Sequence, residues 1–212
     1  MSVEVKIRRI INSPIESNSF ILYREDNSNC IVIDPGTLEC DKLLHLLNEL
    51  KLKPEYIFLT HEHFDHIWGV NKLKDTFESK IVCSKECAES ITQRKKNMSV
   101  FYDQEGFDTY PADILIEDLN YMLIQDGIKI EFIETQGHSN GSICILVGNN
   151  LFTGDTIIYN TRTVVKFPGG NKAKLKMSID SILRKVHGKD ITIFPGHGKS
   201  FSANQILPED LL

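Results

Sequence analysis

Short apolar runs divide the chain into strands, with a few stretches of helical spacing between them. Residues 3–11 mix Val and Ile with charges and read as a half-buried strand. Residues 19–23 and 30–34 are shorter apolar runs, the second closed by Pro35-Gly36, with turn residues at 26–29 between them. Leucines at 43, 44, 46, 47 and 50 predict a helix over 41–51, with Asp41 in its first turn and Pro54 breaking it. Residues 56–59 form a fully apolar strand that runs straight into Thr60-His-Glu-His-Phe-Asp-His66. A helix over 68–77, a strand over 80–83 and a helix over 84–94 follow. Periodicity is lost over 95–118, which holds Tyr102, Phe107 and Tyr110 and reads as a surface insertion or lid. Strands return at 121–124, 128–133, 142–147 and 150–153, with turn signals at Asp126-Gly127 and at 148–150. Residues 172–186 form an amphipathic helix, closed by His187-Gly188, and 191–194 is one more buried strand.

Composition narrows the class. The chain has 212 residues, long enough for one domain over 1–212 with a core that needs no staple. Hydrophobic residues are 41% and charged residues 25%, which excludes disorder, collagen and a coiled-coil rod. The net charge of −5 argues against nucleic acid as a partner. No stretch approaches the ~20 apolar residues of a membrane span, and the charged N-terminus lacks the apolar core of a secretory signal. The five cysteines are scattered and odd in number, as expected of reduced thiols in a cytoplasmic protein. Cys83-x-x-x-Cys87 has no second Cys/His pair nearby to complete a zinc ribbon.

The seven histidines carry the chemistry. His45 points away from a leucine stripe, and His187 is a cation at a helix end; both read as solvated. The other five fall just after apolar strands. His61-x-His63-x-Asp65-His66 places four ligand-type side chains in six residues. Alternate residues after a strand point the same way, so His61 and His63 can converge on one ion while Asp65 and His66 face a neighbouring position. Gly137-His138-Ser139, Thr153-Gly-Asp155 and Pro195-Gly-His197-Gly198 bring further donors at strand ends. Imidazole and carboxylate without thiolate suit Zn²⁺, Fe²⁺ or Mn²⁺. A carboxylate can bridge two such ions, and ion pairs of this kind hold a hydroxide for hydrolysis.

In order and spacing these motifs resemble those of the metallo-β-lactamase-fold hydrolase superfamily over nearly the whole chain, Asp34-Pro-Gly36 included. The resemblance implies an α/β fold, a four-layer α/β/β/α sandwich. It assigns His61, His63 and His138 to a first ion, Asp65, His66 and His197 to a second, and Asp155 to a bridge. Two divalent transition ions are implied, zinc first, with iron or manganese as alternatives. Gly154-Asp-Thr156, Pro168-Gly-Gly170 and Pro195-Gly-His197-Gly198 are most similar to the small glyoxalase II-like thioesterases. That implies hydrolysis of a small-molecule acyl thioester, with Asp65 as the catalytic carboxylate. Glyoxalase II proper has an additional C-terminal helical region that helps bind glutathione. The family's Gly-Arg is replaced here by Thr161-Arg-Thr163, so weak recognition of glutathione is expected. Two other readings share the motifs: a persulfide dioxygenase with one iron among His61, His63, His138 and Asp155, and a lactone or phosphodiester hydrolase.

Overall fold

The computed structural model describes residues 4–116, 122–124 and 127–206. The chain clusters into two compact units, Met1–Leu115 and Ile116–Leu212.

The first unit is built on a mixed sheet of β1 (Lys6–Ile11), β2 (Asn18–Tyr23), β3 (Asn29–Ile33), β4 (Lys53–Phe58), β5 (Lys80–Ser84) and β6 (Ile114–Ile116), paired in that order. β1, β2 and β3 run antiparallel through short turns, whereas β3, β4 and β5 are parallel. Parallel neighbours need crossovers. α1 (Asp41–Glu49) makes the first, and α2 (Phe64–Ile67) with α3 (Val70–Phe77) makes the second. α1 buries Leu43 and Leu47, and α3 buries Val70 and Leu73, against Ile21, Val32, Ile57 and Ile81 of the sheet. α4 (Lys85–Ile91), capped by Ser84 accepting from the Cys87 amide, and α5 (Ser99–Tyr102) follow β5.

The second unit carries β7 (Met122–Ile124), β8 (Ile128–Glu134), β9 (Ile143–Val147), β10 (Asn150–Gly154), β11 (Thr192–Pro195) and β12 (Phe201–Ser202). The sheet order is β12-β11-β10-β9-β8-β7, antiparallel except for the parallel pair β10 and β11. α6 (Lys172–Val186) makes that parallel crossover. Asn171 caps it by accepting from the Lys174 amide, and Arg184 and Lys185 complement the dipole in its last turn. Leu175, Ile179, Ile182 and Val186 form its buried stripe, packed with Leu151, Ile191 and Ile193.

Several elements differ from the sequence reading. Pro54 does not precede its strand but lies inside β4, where the register with β3 slips between Cys30 and Ile31. A bulge spares proline the ladder hydrogen bond it cannot donate. The helix expected over 68–77 is α3, which begins at Val70, and a short helix not read from the sequence, α2, precedes it, the two parted at Trp68 and Gly69. A Cβ on Gly69 would lie 2.2 Å from Cys40 Sγ, so the close approach of α1's N-terminus requires glycine there. The aperiodic segment over 95–118, read as a surface insertion or lid, holds α5 and β6, and β12 carried too few residues to register as a strand. Val3, Tyr121 and Asp126, which were read into two strands and a turn, lie outside the described residues. Every donor motif follows a strand: Asp34 follows β3, His61 to His66 follow β4, His138 follows β8, Asp155 follows β10 and His197 follows β11.

Candidate metal centre

In the first unit the loop after β4 is organised by a residue from the loop after β3. Asp34 is buried and adopts a left-handed backbone, φ 50°. Its Oδ1 accepts from the Thr60 amide at 2.8 Å and its Oδ2 from the Thr60 hydroxyl at 2.6 Å. The same Oδ2 lies 3.1 Å from His66 Nδ1, and Thr60 Oγ1 lies 3.0 Å from His61 Nδ1. A carboxylate only accepts, so His66 Nδ1 carries hydrogen. The one hydroxyl hydrogen of Thr60 goes to Asp34, so His61 Nδ1 must donate to Thr60. In both neutral rings the lone pair therefore sits on Nε2. The His61 ring packs 4.8 Å from that of His63 and 4.2 Å from that of His66. Asp65 and His66 lie in α2, with Asp65 Oδ2 3.6 Å from His66 Nε2.

In the second unit His138 follows the same rule. Its Nδ1 lies 2.8 Å from the Val164 carbonyl, which only accepts, so Nε2 again keeps the lone pair. The loop bearing it is clamped to α6. Gly137 O accepts from the Asn171 amide at 2.7 Å, and Ser178 donates to Gln136 O at 2.7 Å. Gly137 has φ 141°, and a Cβ there would lie 2.3 Å from the Leu175 backbone. His138 Nε2 and His197 Nε2 lie 3.6 and 3.5 Å from the same oxygen, Asp155 Oδ2. Gly196 N–H donates to Gly154 O at 2.7 Å and ties the two loops that bear Asp155 and His197.

These distances test whether the donors fit an ion. Two ligand atoms bound at ordinary lengths to one tetrahedral ion are about 3.4 Å apart. The nitrogen–oxygen separations of 3.5–3.6 Å match that spacing and are too long for good hydrogen bonds. One carboxylate oxygen facing two imidazoles is the arrangement a bridging ligand needs. Anchoring a ligand's far nitrogen to an acceptor is also how ligating histidines are oriented. The donor set therefore fits divalent transition ions. The thiols take no part. All five cysteines are buried and free; burial pushes Cys30, Cys40 and Cys144 up to about 12, and Cys87, beside Cys83, well above the ordinary thiol range.

Of the residues read from the sequence, His61, His63, Asp65 and His66 gather in the first unit, and His138, Asp155 and His197 in the second. His45 and His187 are exposed and stand apart from both groups. The orienting acceptors Thr60 and Val164 were not read as such, and Asp34 was read only as part of a motif. Residues 97–107 of the 95–118 segment are anchored beside the metal loop. Phe64 N–H donates to Asn97 O at 2.9 Å, and the Tyr102 ring lies 5.2 Å from Phe64 and 5.1 Å from Trp68, which stacks on Phe107.

Mixed sheets with histidine and carboxylate donors at their strand ends define a metal-binding α/β protein. Residues 13–197 match the family model described as the metallo-beta-lactamase superfamily, and the chain belongs to that superfamily. It is 28% identical to hydroxyacylglutathione hydrolase GloC of Haemophilus influenzae over 87% of each chain. The BLEG-1 B3 metallo-beta-lactamase structure is 27% identical, with a TM-score of 0.87 over 94% of this chain and 95% of that one. TTHA1623, solved in a di-iron-bound form, shares the fold at 20% identity and a TM-score of 0.79, over 93% of this chain and 96% of its own. The expected α/β fold of the metallo-β-lactamase type is thus the fold of this chain. The chain is a metal-dependent hydrolase of that superfamily. Among the described residues no helix is long and apolar enough to cross a membrane.

Proposed function

We propose that the protein is a dinuclear metal hydrolase that cleaves a small acyl thioester, in the manner of glyoxalase II. The observation that carries the reading is Asp155 Oδ2 facing both His138 Nε2 and His197 Nε2, each at a distance expected of ligands sharing an ion. In this reading His61, His63 and His138 hold the first ion, Asp65, His66 and His197 the second, and Asp155 bridges them. The reading requires the two units to act as one domain. When bound, such ions supply Lewis acidity and make water a nucleophile at neutral pH.

The chain's own residues supply the rest. Asp34 and Thr60 keep the lone pairs of His61 and His66 on Nε2, and the Val164 carbonyl does so for His138. The Asp65 carboxylate accepts a proton from the attacking water and returns it to the leaving sulfur. A thiolate leaves at neutral pH with little acid help, whereas an amide nitrogen must first be protonated, so this proton inventory favours a thioester. The likeness to GloC supports the same substrate class. Zinc is the proposed ion, with iron the principal alternative.

Elemental analysis of protein purified without added metal, run beside a thioester, lactone and phosphodiester panel, tests this. Two ions per chain and thiol release from S-lactoylglutathione, with a high KM and little gain over simpler acyl thiols, are the expected results. Saturation at one iron would replace the reading with a mononuclear dioxygenase. Phosphodiester turnover without thiol release at any metal would overturn the thioesterase assignment.

A further inference from the structure

A buried polar network in the first unit reaches the metal loop from behind. Asn12, Ser17 and Ser19 are all buried, at the end of β1, in the turn after it and in β2. Asn12 Nδ2 donates to Ser17 Oγ at 2.9 Å, and Ser17 Oγ donates to the Asp65 carbonyl at 2.5 Å. Asn12 Oδ1 accepts from Ser19 and Thr37, each at 2.9 Å, and Ser19 Oγ also lies 2.6 Å from the Asp34 carbonyl.

Helix geometry explains why the Asp65 carbonyl needs this partner. In a continuing helix it would accept from the amide four residues on, that of Gly69. The Gly69 amide instead donates to Pro35 O at 2.7 Å, and α2 stops at Ile67. The Asp65 carbonyl is left for a hydroxyl from outside the helix. Nothing larger than glycine can stand at 36, where a Cβ would lie 1.9 Å from Asp65 O and 2.6 Å from Ser17 Oγ.

We propose that Ser17, oriented by Asn12, is a positioning residue for the second metal position: its hydroxyl holds the first turn of α2, and so fixes where Asp65 and His66 present their ligand atoms. His61 and His63 precede α2, and His61 is held at Nδ1 by Thr60, whose amide and hydroxyl donate to Asp34, so the first position has an anchor apart from Ser17. The inference rests on the dinuclear reading above. Its consequence is that loss of the Ser17 hydroxyl turns a two-ion protein into a one-ion protein.

The test is calorimetric titration of metal-free protein with Zn²⁺, beside its melting temperature. Wild type should take two ions. Ser17→Ala should keep the tighter binding event and weaken the second by about 10–100-fold. Asn12→Asp matches Asn12 in size and keeps its acceptor for Ser19 and Thr37, but it removes the donor that orients Ser17. It should also weaken the second event, although its added negative charge would by itself strengthen cation binding. Thr37→Val disturbs the same network without touching Ser17 or Asp65, and should lower the melting temperature while leaving both events intact. If wild type takes only one ion, the dinuclear reading fails and this inference with it. If wild type takes two, and Asn12→Asp or a folded Ser17→Ala binds both within twofold of wild type, the inference alone is overturned. Equal weakening of both events, or weakening of the second by Thr37→Val, would also overturn it, because it would mark a general structural role.

Discussion

Asp155 is the residue on which the second unit's donors converge, so its removal separates binding from bystanders. Asp155→Ala should lower both metal content and turnover by at least about 10-fold, whereas His45→Ala and His187→Ala should leave both near wild type. Elemental analysis with a thiol-release assay checks this; metal loss in His45→Ala would show the ligand set to be wrongly drawn. Asp34 acts one step further out. Asparagine there would turn an amide N–H₂ or a lone oxygen toward three donors, the Thr60 amide, the Thr60 hydroxyl and His66 Nδ1. Asp34→Asn should therefore weaken metal binding by about 10–100-fold while the ligands themselves remain. The ligands were legible in the sequence because histidine, carboxylate and glycine cluster at strand ends. The role of Asp34 was not, because its partners lie 26 and 32 residues away and only the parallel pairing of β3 with β4 brings them beside it. The thiols give a pH dependence of their own. Burial raises Cys30, Cys40 and Cys144 from 9.0 to about 12, so each favours the folded state fully below pH 9 and loses that contribution as pH rises toward 12. Native protein at pH 8 should react slowly at all five thiols with a disulfide reagent, and melting of the metal-free form should drop above pH 9.

Elements place these residues through a few close approaches. Gly137 is one such approach in the second unit, with a left-handed φ and the backbone of α6 against it. Gly137→Ala should destabilise the metal-free protein by about 3 kcal/mol, from overpacking plus backbone strain, and should displace His138. Denaturant unfolding, with metal content measured on the folded fraction, checks both halves. Helical spacing made α1 and α6 legible, since their apolar positions each fall on one face. The division of α2 from α3 was not legible. It depends on Gly69 meeting Cys40 and on the Gly69 amide turning to Pro35, contacts to a distant loop that leave no periodic trace. Pro54 misled in the same way, because a bulge that admits proline to a strand is a property of the neighbouring strand's register. Residues 97–107 lack periodicity because they are held by side chains: Asn97 Nδ2 donates to Phe107 O and Ile91 O, and aromatic rings pack beside Phe64.

For the whole molecule, the question is whether metal holds the fold or the fold holds metal. Each unit has its own apolar core. The first is built from Ile21, Val32, Ile57 and Ile81 with Leu43, Leu47 and Leu73; the second from Leu151, Ile179, Ile182 and Ile193. None of the seven proposed ligands belongs to either. The ligands sit on loops and on the short helix α2, whose shapes are fixed by protein hydrogen bonds: Asp34 to Thr60, Ser17 to Asp65, Asn171 to Gly137 and Gly196 to Gly154. A zinc finger differs in both respects, since its core is too small to fold alone and binding energy becomes folding energy. Here removing metal forfeits the ions' stabilisation by mass action but leaves both cores and both sheets. Exhaustive chelation should therefore abolish hydrolysis while the far-ultraviolet circular dichroism stays nearly unchanged and the melting temperature falls by several degrees. Adding back metal should restore activity without a refolding phase. Loss of most secondary structure on chelation would mean that the loops do not keep their shape alone, and that the hydrogen bonds of Asp34 and Ser17 follow from metal binding instead of preparing for it.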